Sequence, residues 1–170
     1  MVIVVMGVTG SGKTTVGERL ASDLHWPFFD ADSFHPSENV ARMRRGIPLT
    51  DADRAPWLAA IRAKIDEMLD AGGSGVIGCS ALKRAYRRVL GEGRPSVHFV
   101  YLRGSEALIG ERLRHRVGHF MNPRLLGSQF DTLEEPDSAL AIDVALPLAA
   151  QVRRIRQELG IDATRAEARR

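Results

Sequence analysis

Val2 to Met6 is an unbroken apolar run that feeds directly into Gly7-Val8-Thr9-Gly10-Ser11-Gly12-Lys13-Thr14, and an amphipathic segment follows at once. The eight-residue loop matches G-x-x-x-x-G-K-[ST] at every fixed position. A buried strand that ends in such a loop and resumes as a helix leaves few folds open, because the strand must sit inside a sheet whose faces are covered. Gly7, Gly10 and Gly12 permit positive φ and close approach to an anion. The amides from Gly10 through Ser11 and Gly12, and the helix starting near Lys13, aim N–H dipoles at it. Lys13 reaches the β- and γ-phosphates and the Thr14 hydroxyl suits Mg²⁺, so the loop is read as holding a nucleoside triphosphate. Thr15 has two readings, a contact to the α-phosphate or a cap on the first turn.

The rest of the chain alternates in the same sense. Val16, Leu20 and Leu24 recur on one helical face, and "PFFD" is a short second strand. A polar, turn-rich stretch from about 33 to 55 reads as a substrate-handling segment, with helix starts at Ser37 and at Asp51 or Asp53. Trp57, Leu58, Ile61, Ile65, Met68 and Leu69 form one stripe that ends at Gly72-Gly73. "GVIGCS", "VHFVYL" and "ALAIDVAL" are the third to fifth strands, each followed by a helical pattern. Five strands separated by helices predict a parallel five-stranded sheet covered on both faces, an α/β domain over residues 1–160. Residues 161–170 are predicted to fray.

Composition matters mainly for what it excludes. The chain has 170 residues, 44% hydrophobic and 26% charged, in the ordinary range for one globular domain. Its apolar runs fall far short of the ~20 residues of a membrane helix, and no basic segment precedes the first run as in an export signal. Cys79 is the single cysteine. It forms no internal disulfide, which fits a reducing cytoplasm. The net charge of +3 is spread among acidic residues, so a small anionic substrate explains it as well as a nucleic acid does. Only three of the 24 basic residues are lysines: Lys13, Lys64 and Lys83.

"FFDADSFHP" lies at the carboxyl edge of the second strand. Asp30 and Asp32 are two apart and share a face if extended. Asp30 then suits Mg²⁺ through water, and Asp32 the acceptor hydroxyl. Either can instead cap the turn beginning near Ser33. No acidic residue ends "GVIGCS", which places more of the work on this pair. In "SALKRAYR", Lys83 and Arg87 read as i and i+4 on one helical face behind a strand's carboxyl end, where α/β ligands bind. Arg54 in "DADRAPW" can reach a substrate carboxylate or pair with Asp51. Trp26 and Trp57 read as core, and His25, His98 and His115 take no role.

These segments, with "NVARMRRGIPLTDADRAPWL", "CSALKRAYRRVL" and "ERLRHRVGHFMNPRLLGSQFDTLEEP", occur in an order that resembles the gluconate kinases, small P-loop enzymes related to shikimate and nucleoside monophosphate kinases. The resemblance spans about residues 2–158. It implies a P-loop kinase fold with a substrate-binding helical insertion and a lid over about 112–135, and transfer of phosphate from Mg²⁺-ATP to the 6-hydroxyl of D-gluconate. It places Lys13, Asp32 and Arg116 in catalysis, with Asp32 on the acceptor hydroxyl, and Arg112 and Arg116 on the adenine face and phosphates. His35, Lys83, Arg87, His119 and Gln129 become substrate residues. It also implies a cytoplasmic homodimer with no nucleic-acid or membrane partner. Arg112 and Arg116 also fit a plain i, i+4 surface pair. Ala145-Leu146 replaces a more polar pair common in the family, which touches only the adenine contact. Two other readings are a P-loop kinase for another small hydroxy acid or polyol, such as shikimate, and a basic nucleotide-binding switch or nucleic-acid module.

Overall fold

A computed structural model describes residues 1–114 and 125–161. Its centre is a five-stranded sheet in which every pairing is parallel: β1 (Val2–Met6), β2 (Phe28–Asp30), β3 (Gly75–Gly78), β4 (Val97–Arg103) and β5 (Leu140–Asp143), in the spatial order β2-β3-β1-β4-β5. β1 runs centrally, Val5 beside Gly78 of β3 on one side and Val100 of β4 on the other. The chain leaves β1 toward β2, returns to β3, then crosses to β4. The carboxyl end of β1 therefore opens at the crevice where ligands sit in sheets of this type.

Among the described residues seven α-helices flank the sheet: α1 (Lys13–Leu24), α2 (Ser37–Arg44), α3 (Asp51–Asp70), α4 (Arg84–Leu90), α5 (Glu106–Arg114), α6 (Leu125–Thr132) and α7 (Leu148–Glu158). Period-2 alternation sorts β1 onto two cores. Ile3 and Val5 pack with Val16 and Leu20 of α1, Ile109 of α5 and Val152 and Ile155 of α7. Val2, Val4 and Met6 pack with Ile61 and Ile65 of α3 and Leu90 of α4. All five β1 side chains are fully buried, as a central parallel strand requires.

α3 begins at Asp51, one of the two expected starts, and runs through Pro56 without a break. Thr50 and Asp53 form a reciprocal capping box there: the Asp53 amide donates to Thr50 Oγ1 at 3.2 Å and the Thr50 amide to Asp53 Oδ2 at 2.8 Å. Strands three and five are shorter than the apolar runs suggest. β3 stops at Gly78, ahead of a left-handed turn at Ala81 (φ 44°), and β5 stops where Asp143 Oδ1 takes the Ala145 amide at 2.8 Å. Ile161, placed in the expected frayed tail, packs against the first core; the rest of that tail lies outside the described residues. Among the described residues no helix is long and apolar enough to cross a membrane.

Candidate active site

The phosphate loop takes its shape from glycine where a side chain cannot fit. At Gly10 φ is +77° and a Cβ would lie 2.7 Å from Leu113 Cγ. Gly12, the residue before α1, has φ +99° and open space where its Cβ would be, so the loop's concave side faces outward. Ser11 Oγ is buried within this turn without a hydrogen-bond partner. Lys13 reaches back across the loop, Nζ donating to Val8 O at 3.0 Å.

Asp30 caps the turn, one of its two expected roles, and also bonds Thr14. Its Oδ1 accepts the Asp32 amide at 3.0 Å, capping a 3₁₀ turn over Ala31–Phe34, while its Oδ2 accepts the Thr14 hydroxyl at 3.3 Å. The cap thus holds the carboxylate against α1's first turn. Asp32, one step into the 3₁₀ turn, lines the same cleft as Lys13 and Thr14, a space of about 210 Å³.

The far wall comes from the α2–α3 segment. Asn39 donates to Asp53 O at 2.7 Å and Arg42 pairs with Asp53 Oδ1 at 3.0 Å, which fixes α2 against the start of α3. Trp57 is buried, as expected of core, and its Nε1 donates to Ala31 O at 2.7 Å. Its ring also stacks on His35, centroids 4.3 Å apart and planes within 7°. Burial, and then the charge of Arg54, push the His35 pKa down to about 4, so the ring is neutral near pH 7. Its buried Nδ1 has no partner. Arg54 lines the cleft and pairs only loosely with Asp51, 3.8 Å away, while its NH1 donates to Leu49 O at 2.6 Å and Tyr86 Oη at 3.3 Å.

The expectation for Lys83 and Arg87 needs correction. Lys83 is extended (φ −92°, ψ 145°) as the residue before α4, so the two are not on one helical face. Lys83 Nζ sits at the rim, bridging both oxygens of Asp51 at 2.8 and 2.9 Å, and Tyr86 Oη donates to the same carboxylate. The Lys83 and Tyr86 bonds hold the Asp51 carboxyl below its usual range, and the Lys83 ammonium is raised by the same bond. Arg87 is 2% exposed and turned away from the cleft, its guanidinium donating to the carbonyls of Ala81, Leu82 and Glu134 and to Glu92. The guanidinium donors are spent on backbone carbonyls and Glu92, and Arg87 does not line the cleft.

On α6, Gln129 reaches the cleft, where its Oε1 accepts the Thr9 amide at 2.6 Å. A second cavity opens on the other side of the loop, between Ser11, Thr15, Arg112 and the Ala145-Leu146-Pro147 turn. Arg112 donates to Val144 O at 2.7 Å. Arg116 and His119 lie outside the described residues. Sequence reasoning did not reach Tyr86 and the Ile47-Pro48-Leu49 wall as parts of the cleft, nor Asp51 as the partner of Lys83 and Tyr86. Tyr86, three residues beyond Lys83 within a singled-out motif, was the available signal.

Two cavities meeting at a phosphate loop, one with an aspartate pair and one with an apolar turn, define a P-loop kinase for a small acceptor. The comparisons narrow the class. The shikimate kinase family model matches residues 9–135. A probable gluconokinase of Xenopus tropicalis is 43% identical, covering 94% of this chain and 93% of that one. The crystal structure of a sugar kinase from Janibacter sp. HTCC2649 superposes with a TM-score of 0.89 at 48% identity, covering 96% of each chain. A gluconokinase structure from Sinorhizobium meliloti 1021 gives 0.80 at 48% identity, covering 92% of this chain and 94% of that one. The chain belongs to the gluconokinase family. The shikimate kinase match reflects the scaffold that the two groups share, from the phosphate loop through α6.

Proposed function

We propose that this protein transfers the γ-phosphoryl group of ATP to the 6-hydroxyl of D-gluconate, giving 6-phospho-D-gluconate. The observation that carries the reading is the placement of Asp32 and His35 across one small cleft from Lys13 and the Thr14–Asp30 pair, in a chain 43% identical to a gluconokinase over nearly its whole length. Sites for drug-sized ligands run to roughly 300–1,000 Å³, so the cleft suits a six-carbon acid rather than a second nucleotide.

The residues fit a nucleotide and a hard cation. The open cradle at Gly12 and the unpartnered Ser11 Oγ match a phosphate. The Thr14 hydroxyl and Asp30 carboxylate are oxygen donors, the set Mg²⁺ takes when phosphates and water complete its shell. Among the described residues no cluster of three or more His, Cys, Asp or Glu offers another metal site. Bound there, Mg²⁺ neutralises charge on the phosphates.

The chain's own groups do the rest. Asp32 accepts a hydrogen bond from the acceptor hydroxyl and aligns it for in-line attack, taking the proton as the new P–O bond forms and the bond from the γ-phosphorus to the bridging oxygen breaks, releasing ADP. Lys13 follows the charge on the transferring group, and Arg116 is assigned the same task. Neutral His35 at the cleft wall presents an uncharged ring to the sugar chain, not a charge to the carboxylate. Arg54 at the cleft wall and Lys83 at the rim supply the positive charge for the carboxylate. Across the loop, the apolar Ala145-Leu146-Pro147 turn receives adenine, with Arg112 and Thr15 beside the phosphates. ADP release with Mg²⁺-ATP tests the reading against D-gluconate, its epimers, shikimate and no acceptor. D-gluconate should raise turnover far above the others; a shikimate preference would transfer the chain to the runner-up substrate.

A further inference from the structure

Arg87 is displaced from the substrate, yet it is the most fully buried charge in the described residues. Burying a guanidinium is costly unless its donors are met, and here every partner lies in one of two segments flanking the cleft or in the turn that follows α4. The first segment is the loop after β3. NH1 donates to Ala81 O at 3.2 Å and Leu82 O at 3.1 Å, across a residue whose φ of 44° is unusual for alanine. Ser80 and Leu82 of this loop line the acceptor cleft, and Ser80 O accepts the Gly7 amide at 3.4 Å. The second segment is the foot of α6. NH1 donates to Glu134 O at 2.9 Å, the Glu134 amide donates to Leu82 O at 2.9 Å, and Glu134 Oε2 takes the Arg84 amide at 2.6 Å. One turn back, α6 carries Gln129 onto the Thr9 amide. Glu92 neutralises the guanidinium through Nε at 3.2 Å.

We infer that Arg87 is a positioning residue that sets both acceptor-side walls, the 79–83 loop and α6, against the phosphate loop. Each segment is hydrogen-bonded to that loop through a backbone amide, at Gly7 and at Thr9, and Leu82 and Leu126 share the apolar core with Val8 of the loop. Arg87 joins the two walls to each other, its NH1 bonded to carbonyls of both. The inference rests on the gluconate kinase reading for its kinetic consequence but not for its structural one. Loosening the walls should degrade alignment of the acceptor and leave the phosphate cradle, built by β1 and α1, intact.

Arg87→Lys keeps a charge facing Glu92 and loses the multiple carbonyl bonds; Glu134→Ala loosens the same joint from its exposed side and poses little threat to folding. Misplacement of about 1 Å costs about a hundredfold in rate, so we expect kcat to fall about ten- to hundredfold in Arg87→Lys, and less in Glu134→Ala. KM for gluconate should rise in both, while the Kd for ATP, measured without acceptor, stays within about twofold. Adding Ala81→Gly, which removes the penalty for a left-handed residue, should restore part of the loss in Arg87→Lys. Amide hydrogen exchange reads the joint without any substrate: it should quicken in 79–83 and 125–134 together and not in β1 or α1. Folded variants with wild-type kcat and KM, or exchange that quickens in only one of the two segments, would overturn the inference. Joint quickening in a protein that phosphorylates no gluconate would leave it standing and remove the substrate assignment instead.

Discussion

The two cavities beside the phosphate loop are built by different means. On the acceptor side, side chains hold one another: Asp30 takes the Thr14 hydroxyl, His35 stacks on Trp57, and Asp51 gathers Lys83, Tyr86 and Arg54. On the side proposed for the nucleotide the wall is backbone and apolar surface, the Ala145-Leu146-Pro147 turn, with Arg112 and Gln151 spent on the carbonyls of Val144 and Leu146. A site that must reject near-isomers of a sugar acid needs polar groups that are left unpaired by the wrong ligand. A site for a planar base in a phosphate-anchored nucleotide needs shape, which a turn supplies.

The contrast is sharpest at Asp32. Asp32→Asn should lower kcat with gluconate by about a thousandfold, within the range of a lost general base, and leave ATP binding within about twofold. Calorimetry for ATP and a coupled ADP assay check the two halves; loss of both together would erase the distinction between the sides. Arg54→Met comes next. Removing a charge-assisted hydrogen bond costs about 1.5–3 kcal/mol, so KM for gluconate should rise about ten- to hundredfold with KM for ATP unmoved in steady-state kinetics.

A third test uses pH. His35 is held near 4 against 6.5 unfolded, so between those values the unfolded chain binds a proton that the folded chain refuses. Stability should therefore fall as pH drops from about 6.5 to 4, and His35→Gln should flatten that part of the Tm–pH curve by a few degrees. The carboxyls of Asp51, Asp53 and Asp66 are also lowered, and their contribution is lost only at more acid pH. The smallest effect belongs to the other side: Leu146→Ser should change KM for ATP less than about threefold, because the turn meets adenine with shape and main chain.

What could be read from the chain divides along the same line as locality. The phosphate loop, the Asp30/Asp32 pair and the helix start at Asp51 depend on neighbours within a few residues, and the strand, turn and cap signals carry them. Lys83 and Arg87 do not share a helical face because α4 begins only at Arg84, with Lys83 extended before it. The left-handed turn at Ala81 delays the helix, and the partner that draws Arg87 inward, Glu134, lies 47 residues away. Asp51 with Tyr86 depends likewise on α3 packing against α4, a contact 35 residues apart with no local trace. The assignment of Arg112 to the nucleotide rests on the family resemblance alone, since its spacing also fits a surface pair.

The most direct test of the central claim is a product analysis: equimolar ATP and D-gluconate with Mg²⁺ and purified protein, followed by ³¹P and ¹³C magnetic resonance and an ADP assay on the same sample. We expect one phosphate ester on the C6 hydroxyl for each ADP released, with inorganic phosphate at the level of the acceptor-free control. ADP accompanied by free phosphate, or an ester at another position, would contradict the assignment of Asp32 and its cleft to the 6-hydroxyl of gluconate.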